Sequence, residues 1–144
     1  MKVFDIRPYR DYGIYFKLAV CPSRKSMAAA IKEFDKKEKT AGSLPAGCLG
    51  AFIPSAEIER GGRDYSSNYL GTVFLNTDDA DEYVAAHECA HAAFYYMHSV
   101  RRYTGAFDEA GIEAQEEFCH FLGAAVEKVN DVIRKNFKLK RGKP

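Results

Sequence analysis

The chain has 144 residues, of which 47% are hydrophobic and 28% charged, values typical of one folded domain around one hydrophobic core. Its formal net charge at pH 7 is +1, so no overall field favours nucleic acid or an anionic membrane as a partner. No apolar stretch approaches the length of a membrane span and charged residues interrupt the N-terminus, which predicts a cytoplasmic protein without a signal peptide.

The first half of the chain has the pattern of two strands and one helix. Residues 12–21 are rich in aromatic and β-branched side chains, which favour a strand. Ser23 is a suitable N-cap for a helix over residues 23–39. A loop with two glycines and a proline follows over residues 40–47, and residues 49–59 are predicted to form a second strand.

The middle of the chain predicts a strand followed directly by a helix. Residues 59–68 are polar and contain adjacent glycines, which is typical of a loop. The third strand is predicted over residues 69–76. A helix is predicted over residues 79–100, with Asp79 and Glu82 at the spacing of a capping box.

A long final helix is predicted over residues 108–136, with Asp108 as its N-cap, and it is followed by a basic tail over residues 138–144. The order of elements is strand, helix, strand, strand, helix, helix. This order predicts one α+β domain over residues 1–137, in which the helices pack on one face of a short mixed sheet.

Residues 87–91 are His-Glu-Cys-Ala-His, the H-E-x-x-H pattern of zinc peptidases. On a helix, His87 and His91 lie one turn apart on the same face, where two neutral imidazoles can bind one Zn²⁺ ion. Glu88 lies beside the first histidine, where its carboxylate can deprotonate a water molecule at the metal. The motif therefore predicts a zinc-dependent hydrolase with His87 and His91 as ligands and Glu88 as the general base.

A catalytic zinc ion normally takes a third protein ligand, and the final helix offers four candidates: Glu113, Glu116, Glu117 and His120. The periodicity of that helix puts Glu116 and Glu117 at opposite borders of its apolar stripe, and the other two on the far side. A ligand must reach an interior cleft, so the pattern favours Glu116 or Glu117 and does not separate them.

These segments resemble a minimal gluzincin, a zinc peptidase with H-E-x-x-H on one helix and a glutamate on the next. More narrowly, they resemble small phage and prophage proteins with a strand, a V-A-A-H-E-x-x-H-A helix and a helix carrying E-E-x-x-x-x-x-x-G. The matching segments here are residues 72–75, 84–92 and 116–123. The resemblance covers about residues 69–130 and implies Glu116 as the third ligand, whereas a looser resemblance to peptidases that cleave phage repressors implies Glu113.

The resemblance also implies peptide-bond hydrolysis, in which Zn²⁺ polarises the scissile carbonyl and Glu88 passes a proton from water to the leaving amine. In the family, the strand before the motif helix pairs with an extended peptide, so residues 69–75 are the predicted substrate-binding strand. A second donor to the oxyanion is expected from a residue near the end of the motif helix. The candidates are Tyr95, Tyr96, His98, Arg101 and Tyr103.

Two other functions stay open. A zinc-binding protein without activity, acting as a binding or regulatory module, would close the site with a fourth ligand such as His98, Cys119 or His120. The basic tail could contact nucleic acid, but it lacks the aromatic residues of known binding motifs and is more typical of a solubilising terminus. Four cysteines without a C-x-x-C pair are predicted to be free, mostly buried thiols: Cys21, Cys48, Cys89 and Cys119.

Overall fold

In the part of the chain that the structure describes, a four-stranded mixed sheet carries helices on both of its faces. The computed structural model describes residues 1–9, 13–38, 48–55, 68–101 and 107–137. The predicted loops over residues 40–47 and 59–67, most of the connector after Arg101, and the tail over residues 138–144 lie outside these ranges. The strands are β1 (Lys2–Ile6), β2 (Tyr15–Cys21), β3 (Gly50–Pro54) and β4 (Tyr69–Asn76). The helices are α1 (Arg24–Glu38), α2 (Glu82–Tyr95) and α3 (Phe107–Asn136), and a π-helical turn over Tyr96–Val100 extends α2.

The strand order across the sheet is β1-β2-β4-β3. β1 runs antiparallel to β2, β2 runs parallel to β4, and β3 runs antiparallel to β4. In this register Val73 of β4 lies between Leu18 and Phe52. The predicted α+β class with a mixed sheet is confirmed. None of the helices in the described ranges is both long enough and apolar enough to cross a membrane.

The prediction that all helices pack on one face of the sheet is wrong. Leu18 and Val73 belong to a cluster with α2 and α3, whereas Ala19 and Phe74 belong to a second cluster with Met27 and other residues of α1. Successive residues of a strand point to opposite faces, so the two clusters lie on opposite sides. All eight residues of β4 are buried, as expected for a strand whose two faces are both covered.

The strand predictions differ in accuracy. β4 has the two bounds that the sequence predicts, whereas β2 begins at Tyr15 and β3 ends at Pro54. β1 was not predicted at all. It is an edge strand whose first four residues are exposed or half-buried, and Lys2 and Asp5 break the apolar pattern that marks a strand.

The first two helices begin at different kinds of cap. Ser23 precedes α1 and its Oγ accepts a hydrogen bond from the Ser26 N–H at 3.1 Å, so the predicted cap is confirmed. The predicted capping box at Asp79 is wrong, because Asp81 caps α2 and accepts from the Val84 N–H at 2.8 Å. Asp79 instead forms an ion pair with Arg24 at 2.6 Å.

The final helix contains a break that the sequence did not predict. α3 begins at Phe107, so Asp108 lies inside its first turn and is not the residue before the helix. At Gly111 the backbone has φ 84° and ψ −179°, a conformation that side-chain-bearing residues rarely adopt. The helix continues from there to Asn136, the predicted end.

Candidate metal centre

One turn of α2 separates the two motif histidines and brings their side chains together. The Nε2 atoms of His87 and His91 are 3.3 Å apart, and both side chains are exposed. The ring centroids are 4.9 Å apart, with the planes at 78°. The predicted placement of both histidines one turn apart on one helical face is therefore confirmed.

The separation of the two nitrogens fits a tetrahedral zinc site. Two nitrogens at the usual zinc–nitrogen distance of about 2.0–2.1 Å lie roughly 3.3 Å apart at tetrahedral angles, the separation found between His87 and His91. A single ion held by both histidines would therefore need no change in the distance between the two nitrogens.

Glu88 is buried against the start of β3, and it lines the same cavity as His87. Its side chain is 5% exposed, and Oε2 has no hydrogen-bond partner among the described residues. Burial raises the pKa of the Glu88 carboxyl, and the neighbouring His87 and a hydrogen bond from the Phe52 backbone oppose that shift. A buried carboxylate with one unsatisfied oxygen is costly, so this oxygen is available to a water molecule or another donor.

The Glu88 side chain occupies space at the start of β3 that is free because residue 50 is a glycine. A Cβ added at Gly50 would lie 3.0 Å from Glu88 Cγ and 3.1 Å from the Phe74 carbonyl oxygen. Beside this contact is a small cavity of about 170 Å³. Its lining comprises Cys48, Leu49, Gly50, Tyr83, Val84, His87 and Glu88.

Sequence reasoning missed the residues around this cavity. Tyr83 could have been found, because it lies four residues before His87 and its ring centroid is 6.2 Å from the imidazole. Cys48 and Leu49 could not, because the packing of β3 against α2 brings them there and no local spacing indicates it.

The charge states around the motif suit metal binding. Burial and the proximity of His87 lower the pKa of His91, which favours the neutral imidazole that a metal requires. Cys89 lies between the two histidines in sequence, but its side chain is fully buried and burial raises its pKa to about 12. Cys89 is therefore a core thiol and not a ligand.

The predicted third ligands lie elsewhere. Glu113, Glu116, Glu117 and His120 all line a second cavity, which shares no lining residue with the one beside Glu88. Glu116 Oε2 is 3.6 Å from His120 Nε2, and Glu117 pairs with Arg101 at 2.8 Å. Within the described ranges no three His, Cys, Asp or Glu side chains form a group that could hold a metal ion. The structure therefore does not bring Glu116 to His87 and His91.

Helical geometry explains this separation. On α2, Phe94 lies on the same face as the two histidines, whereas Tyr96 lies on the opposite face. Phe94 contacts Phe118 of α3, with ring centroids 4.9 Å apart, while the Tyr96 hydroxyl donates to Glu117 at 2.9 Å. The glutamates of α3 thus lie toward the Tyr96 side, and Phe118 occupies the side nearer the histidines.

Three of the five expected second donors are engaged elsewhere. The Tyr95 hydroxyl donates to the Ser55 carbonyl at 3.1 Å, and Tyr96 and Arg101 both contact Glu117. His98 is exposed on the π-helical turn, and Tyr103 lies outside the described residues.

Peptide pairing along residues 69–75, as the sequence predicts, would require a free strand edge, which β4 does not have. β4 pairs with β2 along one edge and with β3 along the other, so its backbone groups are already used. In the described part of the chain, β3 is the edge strand next to α2. The strand before the motif in sequence is therefore not the strand at the edge of the sheet.

Comparisons with known proteins add no relative to this picture. No protein-family model matches the chain, and neither does any curated protein or solved structure.

Proposed function

We propose that this protein is a zinc-dependent peptidase in which His87 and His91 bind the metal and Glu88 is the general base. One observation carries the proposal: two imidazole nitrogens 3.3 Å apart stand beside a buried carboxylate with an unsatisfied oxygen. Two exposed histidines gain little stability from a single mutual hydrogen bond. Burying Glu88 costs stability as well. A role in function therefore explains the three residues better than a role in stabilising the fold.

In this proposal the two histidines bind the metal and Glu88 transfers protons. His87 and His91 would hold the ion through Nε2, the two atoms that lie 3.3 Å apart. When bound, zinc supplies Lewis-acid chemistry that polarises a peptide carbonyl and eases the deprotonation of water. Glu88 accepts the proton at Oε2 and returns it to the leaving amine, and the bond from the Phe52 backbone keeps its carboxylate in position.

The surroundings favour an extended, apolar peptide as the substrate. Three of the large apolar side chains that are exposed in the described part lie around the histidine pair: Leu49 at 41%, Tyr83 at 74% and Phe94 at 50%. Exposed apolar side chains that cluster at a polar site are typical of a binding surface. β3 offers its outer edge beside α2, so backbone pairing with a peptide would use β3 and not β4.

A second candidate is a zinc-binding protein without hydrolytic activity. The separation of Glu116 from the two histidines favours it, because a catalytic zinc ion normally takes three protein ligands. In that case the ion and the exposed apolar side chains would serve the binding of a partner.

Metal binding is the first test. We expect the purified wild type to bind about one Zn²⁺ per chain in calorimetric titration, and His87→Ala and His91→Ala to lose that binding. His98→Ala is the matched control, because His98 is exposed on the continuation of the same helix. A wild type that takes up no zinc would overturn the metal site, and a His98→Ala variant that loses zinc equally would overturn its assignment to His87 and His91.

Hydrolysis is the second test, with a library of quenched fluorescent peptides rich in apolar residues. We expect Glu88→Gln to keep zinc and to lose at least about 100-fold in rate, whereas Glu82→Gln, at an exposed position of α2, keeps the wild-type rate. A Glu88→Gln variant that remains fully active would disprove the general-base role. Zinc binding without hydrolysis by the wild type would instead support the second candidate.

A further inference from the structure

A large cavity lies on the side of α2 opposite the histidines. Its volume is about 720 Å³, within the range of small-molecule sites. Residues from five parts of the fold surround it: the segment after β1, the segment before β2, the residue before β4, the π-helical turn with Arg101, and the first half of α3. It shares no lining residue with the cavity beside Glu88, so the proposed peptidase chemistry leaves it unexplained.

The inner wall of this cavity is aromatic and aliphatic. Tyr9 and Tyr96 line it and pack on Phe121, with ring centroids 5.9 Å and 4.6 Å from that ring. Ile14 and Val100 add aliphatic surface. Such a wall binds the apolar body of a ligand, and the faces of the tyrosine rings attract a positive charge.

Glu117 is held by its neighbours and does not act as a free charge. Its Oε1 accepts from the Tyr96 hydroxyl at 2.9 Å and from Arg101 Nε at 2.8 Å. Burial and the bond to Glu117 raise the pKa of Tyr96, which therefore remains a neutral phenol. The positive charge of Arg101 is balanced by this pair.

The rim is acidic. Glu113 and Glu116 are exposed at the mouth of the cavity, and Glu113 has no hydrogen bond or ion pair within the described part of the chain. The carboxylates and the guanidinium of the lining alone, three against one, leave two negative charges. Ile112, 77% exposed, adds an apolar edge. This rim attracts a cation and repels an anion.

We propose that this aromatic cavity binds a small organic cation with an apolar body. The body contacts Tyr9, Tyr96 and Ile112, and the charged group lies near the carboxylates of Glu113 and Glu116. Binding of this cation needs neither zinc nor Glu88. An experiment can therefore disprove it without bearing on the peptidase proposal.

The first experiment compares three probes of the same shape and different charge. 2-Phenylethylammonium, neutral 2-phenylethanol and anionic 3-phenylpropanoate are titrated into the zinc-free, full-length protein at pH 8 and low salt, with binding followed by NMR. We expect a millimolar dissociation constant for the cation, which is usual for a fragment of this size. The neutral probe should bind at least about fivefold more weakly, the effect of one charge at contact distance in water. The methyl signals of Ile14 and Ile112 should shift.

Variants then locate the charge preference. Glu113→Gln combined with Glu116→Gln should weaken the cation about tenfold or more and leave 2-phenylethanol nearly unchanged. Glu127→Gln is the matched control, because it is an exposed glutamate further along α3. Equal binding of cation and neutral probe, no effect of the double variant, or no shift of the two isoleucines at about 10 mM cation would each overturn the proposal.

Discussion

The two faces of α2 are organised by different kinds of contact. On one face, residues four apart in the same helix bring the Nε2 atoms of His87 and His91 together. On the other, Tyr96 depends on residues of another helix, since its hydroxyl bonds Glu117 and its ring stacks on Phe121. The first arrangement follows from helical geometry alone, whereas the second exists only when α2 and α3 are packed.

Removing the packing on the Tyr96 face should have the largest effect. Phe121 is fully buried, and Phe121→Ala should lower the free energy of unfolding by about 3–5 kcal/mol, since it removes a large ring and leaves a cavity. Phe94→Ala, on the histidine face and 50% exposed, should cost clearly less. Chemical denaturation of both variants measures the difference. Equal losses would mean that the two faces do not differ in how they stabilise the fold.

Gly50→Ala should disturb the histidine face through Glu88. The added Cβ would lie 3.0–3.1 Å from Glu88 Cγ and the Phe74 carbonyl, and such crowding typically costs about 1–3 kcal/mol. Zinc binding should survive, because the three atoms nearest the added Cβ belong to Glu88, Leu75 and Phe74 and not to a histidine. Peptide hydrolysis should fall, because the added Cβ would displace Glu88.

Gly123→Ala is the control for that substitution. A Cβ at Gly123 meets nothing within 4 Å, so alanine there should stabilise α3 by about 0.5–1 kcal/mol. A Gly50→Ala protein with wild-type stability and wild-type hydrolysis would show that the close approach of β3 to Glu88 has no consequence.

Asp81→Ala tests the helix that carries both faces. Its carboxylate caps α2 through the Val84 N–H, and loss of such a cap costs about 1 kcal/mol. Asp79→Ala is the comparison suggested by the sequence pattern. If Asp79, and not Asp81, proves to be the more costly substitution in thermal unfolding, the observed start of α2 is wrong.

The smallest effect is expected for Glu116→Gln on zinc affinity. Glu116 lines the aromatic cavity and lies near His120, so zinc affinity should stay within about twofold of wild type in calorimetry. Loss of a true zinc ligand would weaken binding far more, as expected for His87→Ala. A large loss in Glu116→Gln would restore the third ligand that the family resemblance implies and would show that α3 can turn toward the histidines.

The accuracy of the sequence predictions also differs between contacts within one helix and contacts between separate elements. His87, Glu88 and His91 could be placed because they lie within one helix, and β4 because aromatic, aliphatic and β-branched residues make up most of it. The position of Glu116 could not be, since it depends on how α3 crosses α2 and on the break at Gly111. Periodicity identifies the buried stripe of a helix, but it does not say which neighbour lies at each border of that stripe.

Local sequence patterns could not predict the position of β3 in the sheet, for the same reason. The order β1-β2-β4-β3 puts β3 next to α2 although β4 precedes α2 in sequence. A single sequence predicts strand segments but not their order in the sheet. The sequence therefore pointed to residues 69–75 as the strand beside the motif, whereas β3 is the strand that lies beside Glu88.

The π-helical turn after the motif has a consequence for how this protein can change. The bond from the Arg101 N–H to the Tyr96 carbonyl, at 3.1 Å, closes a ring one residue larger than that of an α-helix. Because the turn holds one residue more than an α-helical turn, deleting one residue from Tyr96–Val100 would let it return to α-helix while the chain after it keeps roughly its present direction. A single-codon deletion here should therefore leave both histidines in place and keep Arg101 near Glu117, so this turn is a position at which the length of the chain can change in evolution.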